Sequence, residues 1–362
     1  MWIYLLLGAG LFMGWSLGTN DAANAFGTAV ATRVVKYRTA VIIIAVMVMV
    51  GAIAFGHQNI DKLSSIATNN EVVASQDEVL AAQLTGSLKE LCLKSALKAA
   101  IIFACSALTV FVMSYLKFPV SANQSVTGAV IGWGLCYADY SNDAVRAGNI
   151  TEILEFMSTW LINPLGAALI SFVLVWIVKK FLEKKLTTMK HYDLLIKIGY
   201  IAAGAFSAFS IGQNSSASVT AFYYDATGVG ANLIYGNEGW LTGARIAAML
   251  GGLAIAVGVL TFSRRVMETV GGSIADISQV DGFVVIIASA LTVVLMGNLM
   301  AIPVSTSQSV VGAVIGAGLV SGVKNVRFGV LKNVAIAWVS SPTVAGLLAF
   351  LVGLATKGYF AA

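Results

Sequence analysis

A segment of 17 residues occurs twice in this chain, and each copy places hydroxyl and amide groups inside an apolar stretch. The first copy, PVSANQSVTGAVIGWGL, covers 119–135, and the second, PVSTSQSVVGAVIGAGL, covers 303–319. The copies agree at 13 of their 17 positions. Polar groups buried in an apolar environment cost free energy unless a site uses them. The duplication therefore predicts a substrate site formed where two copies of one unit meet.

The sequence around these motifs is apolar enough to lie in a membrane. Of its residues, 58% are hydrophobic and 11% are charged, and the mean hydropathy is +0.85. Soluble domains carry about 25% charged residues. Apolar stretches long enough for a helix to cross the hydrocarbon layer recur along the chain, whereas the short alternating strands of a membrane barrel do not. The fold class predicted is an all-α polytopic membrane protein.

Ten apolar segments can be counted, and they divide into two sets of five. The first set is 2–31, 39–56, 97–116, 118–137 and 157–177, and the second is 194–224, 244–263, 283–300, 303–320 and 334–355. An odd number per set turns the second copy upside down in the membrane, which predicts two inverted-topology repeats with broken or re-entrant helices and about 10–12 transmembrane segments.

Other shared features support the duplication. Residues 106–110, SALTV, recur identically at 289–293, and all four prolines of the chain fall at matched positions of the two sets. We expect a first repeat over 1–178, a basic cytoplasmic linker over 179–193 and a second repeat over 194–362.

The distribution of charge predicts the orientation. With the N-terminus outside, every basic cluster falls on the cytoplasmic side, and the acidic loops 57–95 and 138–156 fall outside. The basic clusters are Arg33, Lys36 and Arg38; Lys179, Lys180, Lys184, Lys185 and Lys190; Arg264 and Arg265; and Lys324, Arg327 and Lys332. This positive-inside pattern favours a multi-pass protein of the cytoplasmic membrane, with both termini outside, over a nucleic-acid-binding protein.

Each repeat contains a second polar segment near its start. These are GTNDAANAFG over 18–27 and GQNSSAS over 212–218. Glycine lets the backbone leave helical geometry, and Asn, Asp and Ser favour helix starts. We therefore expect the first helix of each repeat to be broken, with a new half-helix starting near Asp21 or Ser215. In the 17-residue motifs, proline suits a first helical turn, and Ser121 and Ser305 can cap it.

Such an arrangement predicts an ion site at the middle of the membrane. Half-helix N-termini favour an anion, and freed carbonyls together with the carboxylate of Asp21 favour a hard cation such as Na⁺. The predicted pocket contains no Lys or Arg, and a multivalent anion buried without a counter-charge is costly. Co-bound cations would neutralise it, which favours coupled symport. Similar linings also suit an amino acid or a small polyol.

The motifs carry a resemblance to a known family. The stretch GTNDAANAFGTAV resembles the GANDVANA signature of the inorganic phosphate transporter family, and PVSANQS and PVSTSQS resemble its duplicated PVSTTH-type motif. The inverted-repeat organisation matches across essentially the whole chain. The resemblance implies a cation-coupled symporter for inorganic phosphate, with Na⁺ or H⁺ as the coupling ion, in a homodimer.

The chain departs from the family pattern at four places. Ser215 and Ser218 stand where Asp and Asn are usual, and Gln124 and Gln308 stand where His is common. These changes remove titratable groups, which favours Na⁺ over H⁺. We therefore predict a Na⁺-coupled phosphate symporter that works by alternating access. The alternatives are a sulfate permease of the same family, which the missing carboxylate favours, and an H⁺-coupled phosphate symporter. An ion channel would need a continuous pore, and no catalytic motif suggests an enzyme.

Two sets of site residues follow from the motifs and the resemblance. The predicted phosphate-binding residues are Asp21, Asn24, Ser121, Gln124, Ser125, Ser305, Thr306, Ser307, Gln308 and Ser309. The predicted Na⁺ ligands are Asn20, Asp21, Asn214, Ser215 and Ser218.

Overall fold

The structure is a computed structural model, and its regular secondary structure is helical wherever the chain is described. The described residues are 2–59, 88–118, 120–137, 143–181, 189–226, 243–270, 278–300, 304–322 and 327–360. Most of the predicted outer loop 57–95 lies beyond these ranges. The predicted all-α membrane fold is confirmed.

Each predicted segment corresponds to one helix, although α3 and α5 begin well before their segments. In the first copy they are α1 (Trp2–Ala31), α2 (Tyr37–Phe55), α3 (Leu88–Tyr115), α4 (Ala122–Tyr137) and α5 (Asp143–Phe181), and a 3₁₀ turn (Gly56–Asn59) follows α2. In the second copy they are α6 (Met189–Ala226), α7 (Gly243–Phe262), α8 (Arg264–Val270), α9 (Gln279–Met300), α10 (Thr306–Ser321) and α11 (Phe328–Phe360). The short helix α8 has no predicted counterpart.

The lengths of α4 and α10 set them apart from the helices that can span a membrane. Among the described residues, seven helices hold a stretch long and apolar enough to cross a membrane: α2, α3, α5, α6, α7, α9 and α11. Helices α4 and α10 have 16 residues each. At 1.5 Å per residue they rise about 24 Å, less than the ~30 Å of hydrocarbon. These are the helices that begin inside the molecule.

The predicted breaks in α1 and α6 are wrong. Helix α1 continues without interruption through 18–27, and α6 continues through 212–218. No half-helix starts near Asp21 or Ser215. The two polar segments therefore present side chains from continuous helices, and within the described chain the helix N-termini at the centre are those of α4 and α10.

Close helix packing explains the glycines in these segments. A Cβ on Gly18 would strike the carbonyl oxygen of Ile255 in α7, and a Cβ on Gly212 would strike that of Val48 in α2. The glycines thus allow two backbones to approach, which is the second common use of glycine in membrane helices. The pattern of glycine and polar residues does not distinguish this use from a break.

The two copies pack against each other with exchanged roles. Helix α4 packs on α11 and α10 packs on α5, while α2 packs on α6 and α7 packs on α1. The contacts match in detail, because a Cβ on Gly128 would meet the carbonyl of Pro342, and a Cβ on Gly312 would meet that of Pro164. This reciprocity is what an inverted repeat produces.

The predicted linker 179–193 is shorter than expected, since α5 runs to Phe181 and α6 begins at Met189. Residues 182–188 lie outside the described residues. The Nζ atom of Lys179 lies 3.1 Å from Oδ2 of the buried Asp281. This ion pair fixes the end of α5 to the start of α9, so Lys179 contributes more than a solvated linker charge.

Candidate functional site

Helices α4 and α10 begin in the middle of the molecule with the same cap. The hydroxyl of Ser121 accepts the backbone N–H of Gln124 at 3.3 Å, and that of Ser305 accepts the N–H of Gln308 at 3.2 Å. Both serines are buried. The predicted serine caps are confirmed, and each satisfies one of the free N–H groups of a helix start.

Two asparagines hold the extended residues before these helices. The N–H of Val120 donates to Oδ1 of Asn20 at 3.4 Å, and the N–H of Val304 donates to Oδ1 of Asn214 at 2.9 Å. The prolines directly before these valines, which we predicted to start the helices, lie outside the described residues. Asn20 and Asn214 occupy matched places on α1 and α6, so each repeat uses the same contact.

The carbonyl groups of the two valines bind side chains of the other copy. The hydroxyl of Ser307 on α10 donates to the carbonyl of Val120 at 3.0 Å, and Nδ2 of Asn123 on α4 donates to that of Val304 at 2.8 Å. Nδ2 of Asn214, from the same repeat as Val304, also donates to the carbonyl of Val304 at 2.7 Å. Each motif is therefore held by side chains of both repeats. The two motifs form one buried site.

One half of this site is built around Asp21, which is buried. Thr306 donates its hydroxyl to Oδ2 of Asp21 at 3.0 Å, and Nδ2 of Asn24 lies 3.2 Å from Oδ1. The same Nδ2 is 3.1 Å from the hydroxyl oxygens of Thr306 and Ser307. The carboxylate thus joins α1 to the first turn of α10.

The other half contains the matched positions with different chemistry. Ser215 takes the place of Asp21, and Ala122 takes the place of Thr306. Ser218 donates its hydroxyl to Oδ1 of Asn123 at 2.7 Å. In this second half, the re-entrant helix α4 supplies the amide and α6 supplies the hydroxyl. In the first half, α1 supplies the amide of Asn24 and the re-entrant helix α10 supplies the hydroxyl of Ser307. The contact is kept in both halves, whereas the carboxylate occurs in one.

Two glutamines in the site have unsatisfied acceptors. Gln124 and Gln308 are each 2% exposed, and the Oε1 atom of each has no hydrogen-bond partner among the described residues. An unpaired buried polar atom costs about 1–3 kcal/mol. Their matched places, one on each re-entrant helix, indicate groups reserved for a ligand or for water.

Ser125 and Ser309, like Ser218 and Ser307, already use their hydroxyl protons. Ser125 donates to the carbonyl of Ser121 at 3.3 Å, and Ser309 donates to Oδ1 of Asn163 at 2.8 Å. Nδ2 of Asn163 donates in turn to the carbonyl of Ser305 at 2.7 Å. Such hydroxyls can still accept a bond or offer an oxygen to a cation, but they hold the first turns in place.

The structure brings all the predicted site residues into one buried cluster. These are Asn20, Asp21, Asn24, Ser121, Gln124, Ser125, Asn214, Ser215, Ser218, Ser305, Thr306, Ser307, Gln308 and Ser309. Sequence reasoning missed Asn123 and Asn163. Asn123 is the repeat mate of Ser307, so the duplication itself could have identified it. Asn163 directly precedes Pro164, whose repeat mate is Pro342. The repeat mate of Asn163 itself is Ser341, so the duplication gives no sign of an asparagine at this place.

The charge in the cluster is negative. Of the charged side chains that the structure describes, only Asp21 and Asp281 are fully buried. Asp281 has the ammonium group of Lys179 as a partner, whereas the partners of Asp21 are neutral. A buried carboxylate is stable when a cation or a proton neutralises it. The site therefore combines a place for a cation with hydroxyls, amides and two helix N-termini that suit an oxyanion.

The comparison with protein families identifies the chain. The model of the phosphate transporter family matches residues 17–349. This chain belongs to the phosphate transporter family. The resemblance inferred from the motifs is confirmed, and since this family and the relatives below are transporters, the prediction that the chain is not an enzyme is confirmed too.

The relatives match along nearly the whole chain. A protein of Pyrococcus horikoshii named as a phosphate permease is 26% identical and is aligned over 97% of each chain. Another, from Thermococcus kodakarensis, is 28% identical over 97% of each chain. A solved structure titled "The sodium-dependent phosphate transporter" superposes with a TM-score of 0.74 over 98% of this chain and 99% of its own, at 22% identity. That structure shows that the two chains share a fold.

Proposed function

We propose that this transporter moves inorganic phosphate across the cytoplasmic membrane together with Na⁺, by alternating access. The observation that carries this proposal is the buried carboxylate of Asp21, whose partners are neutral hydroxyl and amide groups. Na⁺ prefers oxygen ligands, and a carboxylate supplies both oxygens and charge. The further Na⁺ ligands proposed are Asn20, Asn214, Ser215 and Ser218.

Phosphate is proposed to bind between the first turns of α4 and α10. Both helices direct N-terminal N–H groups at the centre, and the unsatisfied carboxamides of Gln124 and Gln308 lie beside them. A carboxamide can turn to present its NH₂ group as a donor. The hydroxyl-bearing residues proposed to complete the set are Ser121, Ser125, Ser305, Thr306, Ser307 and Ser309, with Asp21 and Asn24 at its edge.

The coupling of phosphate transport to Na⁺ follows from the charges of the two ions and of Asp21. A divalent oxyanion beside an ionised carboxylate is unfavourable in a medium of low dielectric constant, whereas bound Na⁺ neutralises the carboxylate and removes this repulsion. The named function of the structural relative, a sodium-dependent phosphate transporter, supports Na⁺ as the coupling ion. Gln124 and Gln308, where histidine is common in the family, supply no group that would carry a proton.

Sulfate is the second candidate substrate. Ser215 takes the place of a second carboxylate, and a site with fewer negative charges repels a fully ionised oxyanion less. The retained Asp21 favours phosphate, because a carboxylate can accept a proton from hydrogen phosphate but not from sulfate.

The orientation, the repeats and the assembly belong to the same proposal. Both termini lie outside, and repeats 1–178 and 194–362 flank the cytoplasmic residues 179–193. The exposed leucines of α5, spaced by four residues at 161, 165 and 169, suit contact with lipid. The family resemblance supports a homodimer, which light scattering of the purified protein would measure.

Uptake into proteoliposomes tests the function. Labelled phosphate and labelled sulfate are supplied separately under an inward Na⁺ gradient, under a choline gradient and under a pH gradient. We expect phosphate uptake with Na⁺, none with choline, and no inhibition by excess sulfate. Uptake driven by the pH gradient alone contradicts Na⁺ coupling, and uptake of sulfate in place of phosphate contradicts the substrate.

A further inference from the structure

A cavity lies beside the central site. Its volume is about 340 Å³, and it is lined by Phe55, Gln58, Phe209, Gln213, Val294, Gly297 and Asn298. We call it the vestibule. Nε2 of Gln213 donates to Oδ1 of Asn298 at 2.8 Å, which joins α6 to α9. Gln213 is followed by Asn214, which holds Val304, so the polar end of the vestibule adjoins the proposed phosphate site.

Every residue of the vestibule has a mate in the other copy. The reciprocal glycine contacts fix the correspondence of α1 with α6 and of α2 with α7, and the repeated SALTV sequence fixes that of α3 with α9. Phe55 corresponds to Phe262, Gln58 to Arg265, Phe209 to Trp15 and Gln213 to Thr19. Val294 corresponds to Phe111, Gly297 to Ser114 and Asn298 to Tyr115.

Most of the positions in the first copy that correspond to the vestibule lining carry aromatic rings. The ring centroids of Trp15 and Phe111 are 5.6 Å apart, and Phe262 lies 5.8 Å from Trp15 and 5.9 Å from Phe111. Tyr115 extends the group, and the guanidinium of Arg265 covers its ring at 5.4 Å. We call these residues the aromatic cluster. Where the second copy has Val294 and Asn298, the first has the larger side chains of Phe111 and Tyr115.

The inverted symmetry puts the two features on opposite faces of the membrane. Arg265 belongs to a basic pair that the positive-inside pattern places in the cytoplasm. The vestibule then faces outward. We propose that the vestibule is the outer access route and first contact site for a hydrated oxyanion, and that the aromatic cluster closes the inner route; the inference rests on the proposed transport function.

The lining fits this role. Gln58, Gln213 and Asn298 supply amide groups, which can bind a hydrated anion without trapping it as a cationic side chain would. The aromatic cluster packs apolar rings against one another, and such contacts exclude water. Release to the inside then requires these rings to separate.

Accessibility of cysteines at a matched pair of positions tests the assignment. Val294→Cys and Phe111→Cys are made in a chain whose three native cysteines are replaced by serine. Right-side-out and inside-out vesicles are treated with a membrane-impermeant thiol reagent. We expect Val294→Cys to be labelled from outside at least about tenfold faster than Phe111→Cys. Labelling of Val294→Cys from the inner face only, or equal labelling of the two from outside, overturns the proposal.

A second variant tests the inner closure. Phe111→Val gives the first copy the side chain that the second copy has at this place. We expect it to raise the inside labelling rate of a cysteine at Ser114 about tenfold, since the ring contacts of Phe111 with Phe12, Trp15, Tyr115 and Phe262 are lost. Leu108→Val, on the exposed face of α3, is the matched control and should leave that rate unchanged. An unchanged rate in Phe111→Val overturns the role of the aromatic cluster. Because labelling needs no phosphate, a different substrate would contradict the proposed function and leave these results intact.

Discussion

Asp21 is a carboxylate that the fold buries beside neutral partners, and this single residue sets the charge of the central site. Taking an ion out of water costs several kcal/mol. A cation about 4 Å away returns about 4 kcal/mol at an effective dielectric constant of 20. Two hydrogen bonds, from Thr306 and Asn24, offset part of the cost but do not neutralise the charge. The balance favours a bound cation over an empty site.

Asp21→Asn tests this charge with little change of shape. We expect Na⁺-dependent phosphate uptake to fall at least about 100-fold, because the Coulomb attraction for Na⁺ is lost while Asn can still bond Thr306. Uptake in proteoliposomes measures the loss. Asp281→Asn is the control: it removes the other buried carboxylate, so it should lower the melting temperature and keep the Na⁺ dependence. Wild-type Na⁺ dependence in Asp21→Asn contradicts the role of Asp21.

The second half of the site can be given the chemistry of the first. Asp21 is paired with Thr306, and their repeat mates are Ser215 and Ala122. We expect the double variant Ser215→Asp with Ala122→Thr to steepen the dependence of uptake on Na⁺ concentration, because a second carboxylate with its hydroxyl donor creates a second cation site.

Ala122→Thr alone adds no charge and is the matched control for that double variant. It should leave the Na⁺ Hill coefficient at the wild-type value. An unchanged Hill coefficient in a folded double variant would show that the two half-sites are not equivalent in cation binding.

Helices α4 and α10 can begin inside the membrane because three kinds of contact hold them. Serines cap them, asparagines of α1 and α6 bind the valines before them, and glycines press them against α11 and α5. Gly132 faces the carbonyl of Gly346, and Gly316 faces that of Ala168. The position of the site therefore depends on backbone-to-backbone approach as much as on its polar groups.

Gly316→Ala tests the close packing of α10. Its Cβ would overlap the carbonyl of Ala168, so we expect a destabilisation of about 1–3 kcal/mol, as in other overpacked sites. The midpoint of thermal unfolding in detergent measures it. Gly358→Ala in α11 is the control, because no atom lies within 4 Å of its Cβ position and alanine favours a helix by about 1 kcal/mol. Equal midpoints for the two variants contradict this account of the glycines.

Sequence patterns predicted the helices better than the contacts inside the site. Apolar runs located ten of the helices, because hydrocarbon thickness fixes the length of an apolar segment. They did not show that α3 and α5 begin at Leu88 and Asp143, well before their predicted segments. The breaks predicted at Gly18 and Gly212 were wrong, because only the neighbouring backbone shows which use a glycine has. Asn163 and the pair of Lys179 with Asp281 were missed, since neither is repeated in the other copy.

The described part of the molecule is nearly symmetric in its backbone packing, and some of its side chains break that symmetry. Reciprocal contacts relate α2 and α6 to α7 and α1, and α4 and α11 to α10 and α5. Two of the differences bear on the proposed function: the carboxylate of Asp21 in the central site, and the vestibule opposed to the aromatic cluster. In the proposed transport cycle the symmetric framework permits two related states, and we expect the asymmetric side chains to bias which state the free protein adopts and which ion it binds.

Reciprocal binding of the two ions is the final prediction. If Na⁺ neutralises Asp21 and thereby admits phosphate, the factor by which Na⁺ raises phosphate affinity must equal the factor by which phosphate raises Na⁺ affinity. Coupling energies of about 1–3 kcal/mol give a factor of roughly 5–150. Calorimetric titration of the purified protein with each ion, at low and saturating concentrations of the other, measures both factors, with K⁺ in place of Na⁺ as the control. Asp21→Asn should reduce both to about one, because no charge then links the sites. Strong phosphate binding that is independent of Na⁺ in the wild-type protein would show that the charge of Asp21 does not couple the two ions.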